Sequence, residues 1–577
     1  MFNLRFNREK YSLMNKRNIL TLSFLCCFLG ILAQQQNPNI VWIVCEDISP
    51  YLNSYGDTHV RTPNLDALRA DGIQYNKAYT AAGVCAPSRS AIITGMHPIS
   101  IGTQHMRTLN YNTQFIPEGV PGRYSAVLPK EVKAFPEYLR MRGYYTTNNS
   151  KEDYQFEEPV SVWDESSPAA SHRNRADGQA FFSIYNLART HESQLMRDQD
   201  SLGYNPEKIT LPLFYEPSET LKKDMALLYT RIEEMDQHVG QIIEMLKSDG
   251  LYESSYIFFF SDHGGVLPWT KREIIERGTH IPLLVKLPFN AERGSTNNDL
   301  ISSVDFAPTL LSIAGIQPPE HLQGKAFLGQ YSAEEKNKYV YAAKDRIDDK
   351  YDRSRSISDG HFRYVYNYNT KQPKYQDITY RYGIRSMKEI LDKRDAGQIN
   401  NPFLLDWFLP EKPQEELYYT SKDPDEVNNL ANDINFAEKK DELKTALFSW
   451  LKEVGDLSEQ SEVDMIKSWW GNTTSAPKTA EVKVIDKKNR LYLKSETEGA
   501  SISYRIQQTT VLDSVYRPIH SWGFSTVNNR VKTGEPIKVP LPWKVYQGEP
   551  LLLKKGEVLH LNAHRIGYEP AFSTYKN

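Results

Sequence analysis

The chain has 577 residues, 40% of them hydrophobic and 24% charged, which is the composition of a globular protein and excludes a disordered or fibrous one. This length predicts two or more domains, or one large domain with an appendage. The formal net charge of −3 gives no electrostatic case for binding nucleic acid, so no nucleic-acid partner is expected.

The N-terminal residues 1–33 have the organisation of a signal peptide. Lys16 and Arg17 precede an apolar run that ends at a small residue, Ala33, and three glutamines follow. The run is too short for a comfortable transmembrane span, so no stable membrane anchor is expected. The pattern therefore predicts cleavage after Ala33 and export to the periplasm or the medium.

Export permits disulfides, but the mature chain keeps only two cysteines, Cys45 and Cys85. Cys45 ends an apolar run and is expected to be a buried thiol. A disulfide between the two cysteines is the alternative, because sequence alone cannot fix their pairing.

Strands and helices are predicted to alternate in the first half of the chain. Continuous apolar runs indicate strands at 39–45, 256–260 and 281–285. Helical patterns cover about 133–142 and 219–247. This alternation predicts an α/β fold with a large, mostly parallel sheet sandwiched by helices.

The pattern predicts three regions after the signal peptide. An α/β domain is placed at 34–335, and a smaller C-terminal α+β subdomain with short strands at 336–470. After a linker-like composition, short β patterns predict an appended all-β, sandwich-like domain at 478–577.

Two pairs of potential metal ligands each follow a predicted strand. Glu46 and Asp47 come directly after the first strand, and Asp262 and His263 directly after a later one. The carboxyl ends of parallel strands meet at one edge of a sheet, so the two pairs can converge. Carboxylate oxygens select a hard cation, and Ca²⁺ tolerates irregular ligation better than Mg²⁺. A Ca²⁺ site is therefore predicted, with Mg²⁺ as the alternative.

A further stretch, Cys85-Ala-Pro87-Ser-Arg89-Ser-Ala-Ile-Ile-Thr94-Gly95, is predicted to begin a helix, because proline suits the first helical turn. Cys85 lies at the N-terminal end, where backbone N–H groups attract anions. A cysteine there is either an activated nucleophile or a buried small residue.

The full string, Cys-x-Pro-Ser-Arg followed by Thr-Gly, resembles the signature of the type I sulfatases of the alkaline-phosphatase-like superfamily. The resemblance covers about residues 38–455. It implies that a maturation enzyme oxidises Cys85 to formylglycine (3-oxoalanine), whose hydrate attacks sulfur. It implies a role for Arg89 in holding the formylglycine. It also implies a metal site made of Glu46, Asp47, the oxidised Cys85, Asp262 and His263, with Glu46 where aspartate is usual.

The same resemblance assigns groups around the sulfate. Lys151 and Lys271 would neutralise developing charge, and His191 would protonate the leaving sugar oxygen. Asp153 stands where the family has a histidine, and His280 where arginine is usual. Further substrate contacts are expected from His105, Arg107, His280 and Arg346.

These features predict an exported sulfatase that acts on a sulfated polysaccharide or its oligosaccharides, of the ulvan type or a glycosaminoglycan. The signal peptide and the appendage favour a glycan over a small aryl ester. One alternative is a phosphonate or phosphate ester hydrolase on the same fold. Another is a catalytically silent glycan-binding protein, given the altered positions Glu46, Asp153 and His280.

The appendage contains none of the positions matched to the family. Its removal after about Trp470 is expected to leave formylglycine formation, metal binding and activity on a small sulfated sugar intact, while activity on polymer falls. Trp522 and Trp543 are candidates for stacking on sugar rings, and a buried core role is the alternative for each.

Overall fold

The computed structural model describes residues 37–109, 116–197, 201–508 and 513–576. The predicted signal peptide lies outside these residues. The chain from Asn39 onward forms one compact unit. Among the described helices, none combines the length and apolar character that a membrane crossing requires.

The largest sheet of the described chain has nine strands. They are β1 Asn39–Cys45, β2 Ile73–Tyr79, β3 Tyr145–Asn149, β4 Glu165–Ser166, β5 Phe181–Leu187, β6 Ser255–Ser261, β7 His280–Lys286, β8 Ser295–Asn297 and β9 Ile301–Ser302. The spatial order is β4-β3-β5-β1-β6-β7-β2-β8, with β9 also beside β2. Strand β1 runs parallel to both of its neighbours, and β7 is antiparallel to β6 and β2. The predicted large, mostly parallel sheet is confirmed.

Helices cover both faces of this sheet. They are α1 Pro63–Ala70, α2 Cys85–Thr94, α3 Pro98–Ile101, α4 Pro136–Met141, α5 Glu219–Ser248, α6 Glu276–Thr279 and α7 Phe306–Ile313. Trp42 of β1 faces a core that includes residues of α2, α4 and α7, whereas Ile43 faces a second core shared with α1 and α5. Because β1 is buried on both sides, its sequence is continuously apolar instead of alternating.

Helix α4 is shorter than the predicted 133–142. It begins at Pro136, and Arg142 is already its C-terminal cap. Proline lacks the N–H that an interior helical position donates, so the helix begins at this residue and not before it.

A second, four-stranded antiparallel sheet follows, in the order β10-β11-β12-β13. Its strands are β10 Val340–Lys344, β11 Ser354–Ser358, β12 Arg363–Asn367 and β13 Glu415–Tyr418. The helices of this region are α8 Arg385–Asp395, α9 Pro402–Asp406, α10 Ala437–Val454 and α11 Glu462–Trp469. Leu443 and Leu447 of α10 share a core with Ile357 and Tyr364 of the sheet, which is the expected α+β packing.

The C-terminal region contains three small sheets within the described residues. Its strands are β14 Lys483–Asp486, β15 Leu491–Lys494, β16 Ser501–Gln507, β17 Ser514–Pro518, β18 Pro536–Pro540, β19 Lys544–Val545, β20 Val558–His564 and β21 Ala571–Lys576, with one short helix, α12 Phe524–Val527. Strands pair as β14-β15, β17-β18 and β19-β16-β20-β21. Trp522 and Trp543 are both buried, so their indole rings are core side chains and not exposed sugar platforms.

Candidate active site

The site forms where β1 and β6 end side by side. Cys45 is paired with Ser261 in the parallel register, so the residues that follow the two strands emerge together. The backbone N–H of Asp47 donates to Asp262 Oδ1 (3.1 Å), and His263 Nε2 lies 3.0 Å from Asp47 Oδ1. The sheet thus brings both predicted acidic and imidazole pairs to one point.

Cys85 is the first residue of α2, a helix whose ten residues are all buried. Its Sγ lies 3.2 Å from His263 Nε2 and 3.8 Å from Asp47 Oδ1. Cys45 and Cys85 are both free thiols, so the alternative disulfide does not form. The cysteine therefore points from a helix N-terminus into the cluster of strand-end side chains.

Arg89 lies one turn further along the same helix and binds the carboxylates. Its Nε donates to Asp262 Oδ2 (3.0 Å), its Nη1 to Asn186 Oδ1 (2.9 Å) and its Nη2 to Glu46. These bonds fix the two carboxylates relative to α2.

Four of the predicted metal ligands meet closely. Asp47, Cys85, Asp262 and His263 are all buried, and each offers a ligand atom, all within 4.8 Å of one another. His263 Nδ1 lies 2.7 Å from the Gly264 carbonyl, which places the ring proton on Nδ1 and turns the Nε2 lone pair toward Asp47. A lone pair and a carboxylate oxygen 3.0 Å apart repel each other unless a cation or a proton lies between them. The donor set therefore fits a divalent cation.

The pKa shifts in this cluster also indicate that it attracts a positive charge. Burial alone would lower the pKa of His263, but Asp262, Cys85 and Asp47 more than offset it and raise that pKa well above its ordinary value. Without a metal, a proton on the imidazole thus takes the place of a cation. Burial raises the pKa of Glu46 to about 7, although Arg89 and Lys151 both favour its charged form.

Two buried lysines are ion-paired with different carboxylates of the cluster. Lys271 Nζ is ion-paired with Asp47, and Lys151 Nζ with Glu46. Burial would lower the pKa of Lys271, but the Asp47 carboxylate outweighs it and the pKa is raised. Both lysines are therefore ammonium ions at neutral pH, beside Cys85.

His191 lies shortly after β5, and ligand atoms of His191, Glu46 and Cys85 lie within 4.8 Å of one another. Its Nδ1 accepts a hydrogen bond from the Ser193 N–H (3.2 Å), so the neutral ring carries its proton on Nε2. Burial and the nearby Lys271 ammonium lower the pKa of His191 to about 3. The imidazole is thus a neutral hydrogen-bond donor at neutral pH.

Sequence reasoning missed an ion pair between two neighbours of predicted residues. Arg272 donates through both terminal nitrogens to the carboxylate of Glu192 (2.9 and 2.7 Å), and the Glu192 N–H donates to Asp47 Oδ2 (2.8 Å). The only sequence signal was position, since each member directly follows His191 or Lys271.

A second missed residue comes from the C-terminal region. The ring of Phe524 lies 4.8 Å from Lys151 Nζ and 5.0 Å from the centre of the His191 ring. The sequence placed no site residue in the C-terminal region, whereas this contact brings one beside Lys151 and His191. No local pattern around Phe524 indicated the contact, because it depends on how the chain folds back.

A cavity of about 300 Å³ opens above Cys85. It is lined by Val84, Cys85, Ala86, Met106, Arg107, Leu109, Asp153, Gln155, His191, Glu192, Lys271, Arg272 and Tyr380. Of the predicted substrate contacts, only Arg107 is in this lining. The walls are thus polar and mixed in charge, with four cationic or imidazole side chains facing the cysteine.

Three predicted substrate contacts lie elsewhere. His105 is buried close to Glu462, and the guanidinium of Arg346 forms an ion pair with the same Glu462. His280 stacks on Tyr79 and pairs with Glu276, because β7 begins next to the end of β2. None of the three reaches the described lining of the cavity.

The backbone around the cavity adopts unusual conformations. Asp47, Arg107, Asp153, Gln155 and Arg272 all have positive φ, between 56° and 77°. Such conformations disfavour residues with a Cβ and persist where surrounding contacts over-determine them. At these five positions the fold holds the side chains at a cost in local stability.

Comparisons with known proteins agree with this geometry. A family model described as sulfatase matches residues 38–316, and a model described as N-sulphoglucosamine sulphohydrolase, C-terminal, matches 264–401. An ulvan-active sulfatase of Formosa agariphila is 38% identical over 572 residues, which cover 93% of this chain and 90% of that protein.

Two solved structures share the fold at low identity. A 2-O GAG sulfatase superposes with a TM-score of 0.55 and 16% identity, covering 74% of this chain and 94% of its own. The phosphonate monoester hydrolase of Agrobacterium radiobacter superposes with a TM-score of 0.53 and 16% identity, covering 73% and 96%. Fold alone therefore does not separate sulfate from phosphonate ester hydrolysis.

Proposed function

Because the chain belongs to the sulfatase family, we propose that it hydrolyses sulfate esters of a sulfated polysaccharide or its oligosaccharides. The observation that carries the proposal is the position of Cys85. It lies at the start of α2, 3.2 Å from His263, within the motif that resembles the formylglycine signature. The similarity to an ulvan-active sulfatase supports a sulfated glycan of the ulvan type, with a glycosaminoglycan as the second candidate.

Two groups complete the site in this proposal. A maturation enzyme oxidises Cys85 to formylglycine, and the formylglycine supplies the oxygen nucleophile. Asp47, Asp262, His263 and residue 85, whose ligand atoms lie within 4.8 Å of one another, would hold Ca²⁺ or alternatively Mg²⁺, with Glu46 proposed as a further ligand. The cation would supply positive charge that activates the nucleophile. Arg89 keeps Glu46 and Asp262 in place through direct bonds.

The buried cations bind the sulfate and stabilise the charge that develops on it. Lys271 and Lys151 are charged at neutral pH and are paired with Asp47 and Glu46. Arg272 is held by Glu192 and lines the cavity, so it extends the cationic wall toward the incoming ester. Charges fixed in this way before the reaction stabilise an anion as it develops.

His191 donates a proton to the leaving sugar oxygen in this proposal. Its Nε2–H is free of the Ser193 bond, which uses Nδ1, and its ring lines the cavity. A neutral imidazole donates a hydrogen bond, and full proton transfer requires a raised pKa. The negative charge of a bound sulfate ester acts in that direction, so the proton is delivered only when substrate is present.

The proposal includes export. The signal-peptide pattern of residues 1–33 supports a periplasmic or secreted enzyme without a stable membrane anchor, which would meet polymeric glycan outside the cytoplasm. A direct check is N-terminal sequencing of the protein recovered from periplasm or medium. The proposal expects a mature terminus at Gln34, and recovery of the full-length protein only from cytoplasm would contradict it.

The test is product release by enzyme produced together with a formylglycine-generating maturation enzyme. Sulfated oligosaccharides from ulvan and from glycosaminoglycans are compared with matched phosphate and phosphonate esters, and free sulfate and phosphate are both quantified. The proposal expects sulfate release from at least one glycan and much slower phosphate release. Faster hydrolysis of the phosphonate ester would favour the hydrolase alternative, and no release from any ester would favour a silent binding protein.

A further inference from the structure

The ring of Phe524 supports two candidate catalytic side chains at once. Lys151 Nζ lies 4.8 Å from the ring centroid, at cation–π distance. The His191 ring meets the same ring at 5.0 Å with an interplanar angle of 78°, an edge-to-face contact. Both groups assigned to the sulfate and the leaving oxygen therefore rest on one aromatic side chain.

The segment that carries Phe524 is fixed to the large sheet immediately beside the site. Trp522 is buried, its ring lies 5.5 Å from that of Tyr185 on β5, and its carbonyl accepts the Ala188 N–H (3.2 Å). On the other side, Arg197 donates to the Val527 carbonyl (3.0 Å). Phe524 is thus held between two anchors that both belong to the chain around His191.

The position of Gly523 shows how close this approach is. A Cβ built there would lie 3.3 Å from Asn149 Oδ1, at the end of β3 and two residues before Lys151. That distance is tighter than a comfortable van der Waals contact. The segment therefore packs directly onto the loop that delivers Lys151.

We propose that Phe524 is a positioning residue for sulfate ester hydrolysis, holding Lys151 and His191 in their working orientations. The C-terminal region is then part of the active site and not a separable module. This inference rests on the proposed function, because it concerns the same site.

The physical reason lies in the freedom of the two side chains. Lys151 Nζ is ion-paired with Glu46 and lies more loosely, 3.6 and 4.0 Å, from carboxylate oxygens of Asp153 and Asp262, and the ring of Phe524 adds an aromatic contact to the same ammonium group. His191 has its Nδ1 bond to Ser193, which leaves rotation of the ring plane to be limited by packing. Small displacements of groups that face a reacting centre cost on the order of 100-fold in rate.

The test compares substitutions in the matured, metal-loaded, full-length enzyme. Phe524→Leu and Phe524→Ala are expected to lower kcat about 10-fold or more with KM changed less than about threefold. Phe524→Tyr, which keeps an aromatic ring, is expected to have a kcat within about threefold of that of the unsubstituted enzyme. Tyr516→Ala is the matched control, since Tyr516 is 70% exposed on β17 of the same region. Calorimetric binding of inorganic sulfate is expected to weaken in the first two variants only.

Three results would overturn the inference. One is an unchanged kcat and sulfate affinity in Phe524→Ala. Another is a lower melting temperature with kcat per formylglycine-bearing molecule unchanged, which is the signature of a structural role. The third is a loss that Phe524→Tyr fails to restore. If the unsubstituted enzyme releases no sulfate at all, the proposed function fails, and sulfate binding still decides the role of Phe524.

Discussion

The end of the central sheet and the segment around Phe524 meet at one site but are held by different interactions. At the sheet end, Asp47, Asp262 and His263 are fully buried and held by ion pairs and hydrogen bonds. The segment is held by the buried ring of Trp522 and by backbone bonds, and it offers a half-buried aromatic side chain. Removing one member of a buried charge network leaves another charge unpaired, whereas an aromatic wall can be altered by degrees. The two regions should therefore fail in different ways.

The sheet-end network gives the largest expected effect. Cys85→Ala is predicted to lower sulfate release at least about 1000-fold, because it removes the thiol from which the proposed formylglycine nucleophile is made. Alanine suits a helix, so α2 and the melting temperature should be preserved. Activity within about tenfold of the unsubstituted enzyme would contradict the assignment.

Removal of the metal should come next. Dialysis against a chelator is predicted to abolish activity, and Ca²⁺ is predicted to restore it better than Mg²⁺. The control is the same treatment followed by addition of excess Ca²⁺ to the Asp262→Asn variant, which should not recover. An enzyme that stays fully active in chelator would show that the Asp47, Asp262 and His263 cluster does not act through a cation.

Metal affinity should depend on pH through Glu46. Burial raises the pKa of this carboxyl to about 7 in the metal-free site, so it gains a proton and loses its charge as the pH falls through that value. A cation needs the charged carboxylate, so Ca²⁺ affinity is predicted to fall below about pH 7 and to rise to a plateau above it. Calorimetric titrations from pH 5.5 to 8.5 measure this change. In Glu46→Gln the decline in that range should be smaller, and an identical decline would assign it to another group.

The sheet-end residues were predictable and the segment was not, for a physical reason. Asp47 and Asp262 each come just after a strand, and the parallel register of β1 and β6 places them together at one edge of the sheet. Phe524 is brought to the site by the fold of a distant region, which no local spacing encodes. His280 is the opposite case: its position in a motif suggested a substrate contact, which stays a prediction, whereas the structure stacks its ring on Tyr79 and pairs it with Glu276.

Loss of the Trp522 ring, which anchors the segment that carries Phe524, should lower both stability and kcat. Trp522→Ala is predicted to destabilise the fold by about 3–5 kcal/mol, because it empties a large buried volume against β5 and α5. The same variant should lower kcat by loosening Phe524, while Trp522→Phe should recover most of both losses. Urea unfolding and steady-state rates measure the two effects. Full stability in Trp522→Ala would show that the segment is not anchored through this ring.

The smallest effects distinguish residues inside the cavity from those outside it. Arg107 lines the cavity, so Arg107→Gln is predicted to raise KM for a sulfated oligosaccharide by about 5–20-fold with little change in kcat. His280 lies outside, and His280→Gln is predicted to change kcat/KM less than about threefold. A larger effect of the His280 substitution would show that β7 contacts substrate after all.

The most direct test of the account is the mass of the peptide that contains residue 85. In protein made with a maturation enzyme, formylglycine formation predicts a peptide about 18 Da lighter than the cysteine form, and Cys85→Ala should show only the mass of alanine. Sulfate release should scale with the fraction of lighter peptide across preparations. An unmodified cysteine in a preparation that still releases sulfate would contradict the central claim that Cys85 becomes the nucleophile.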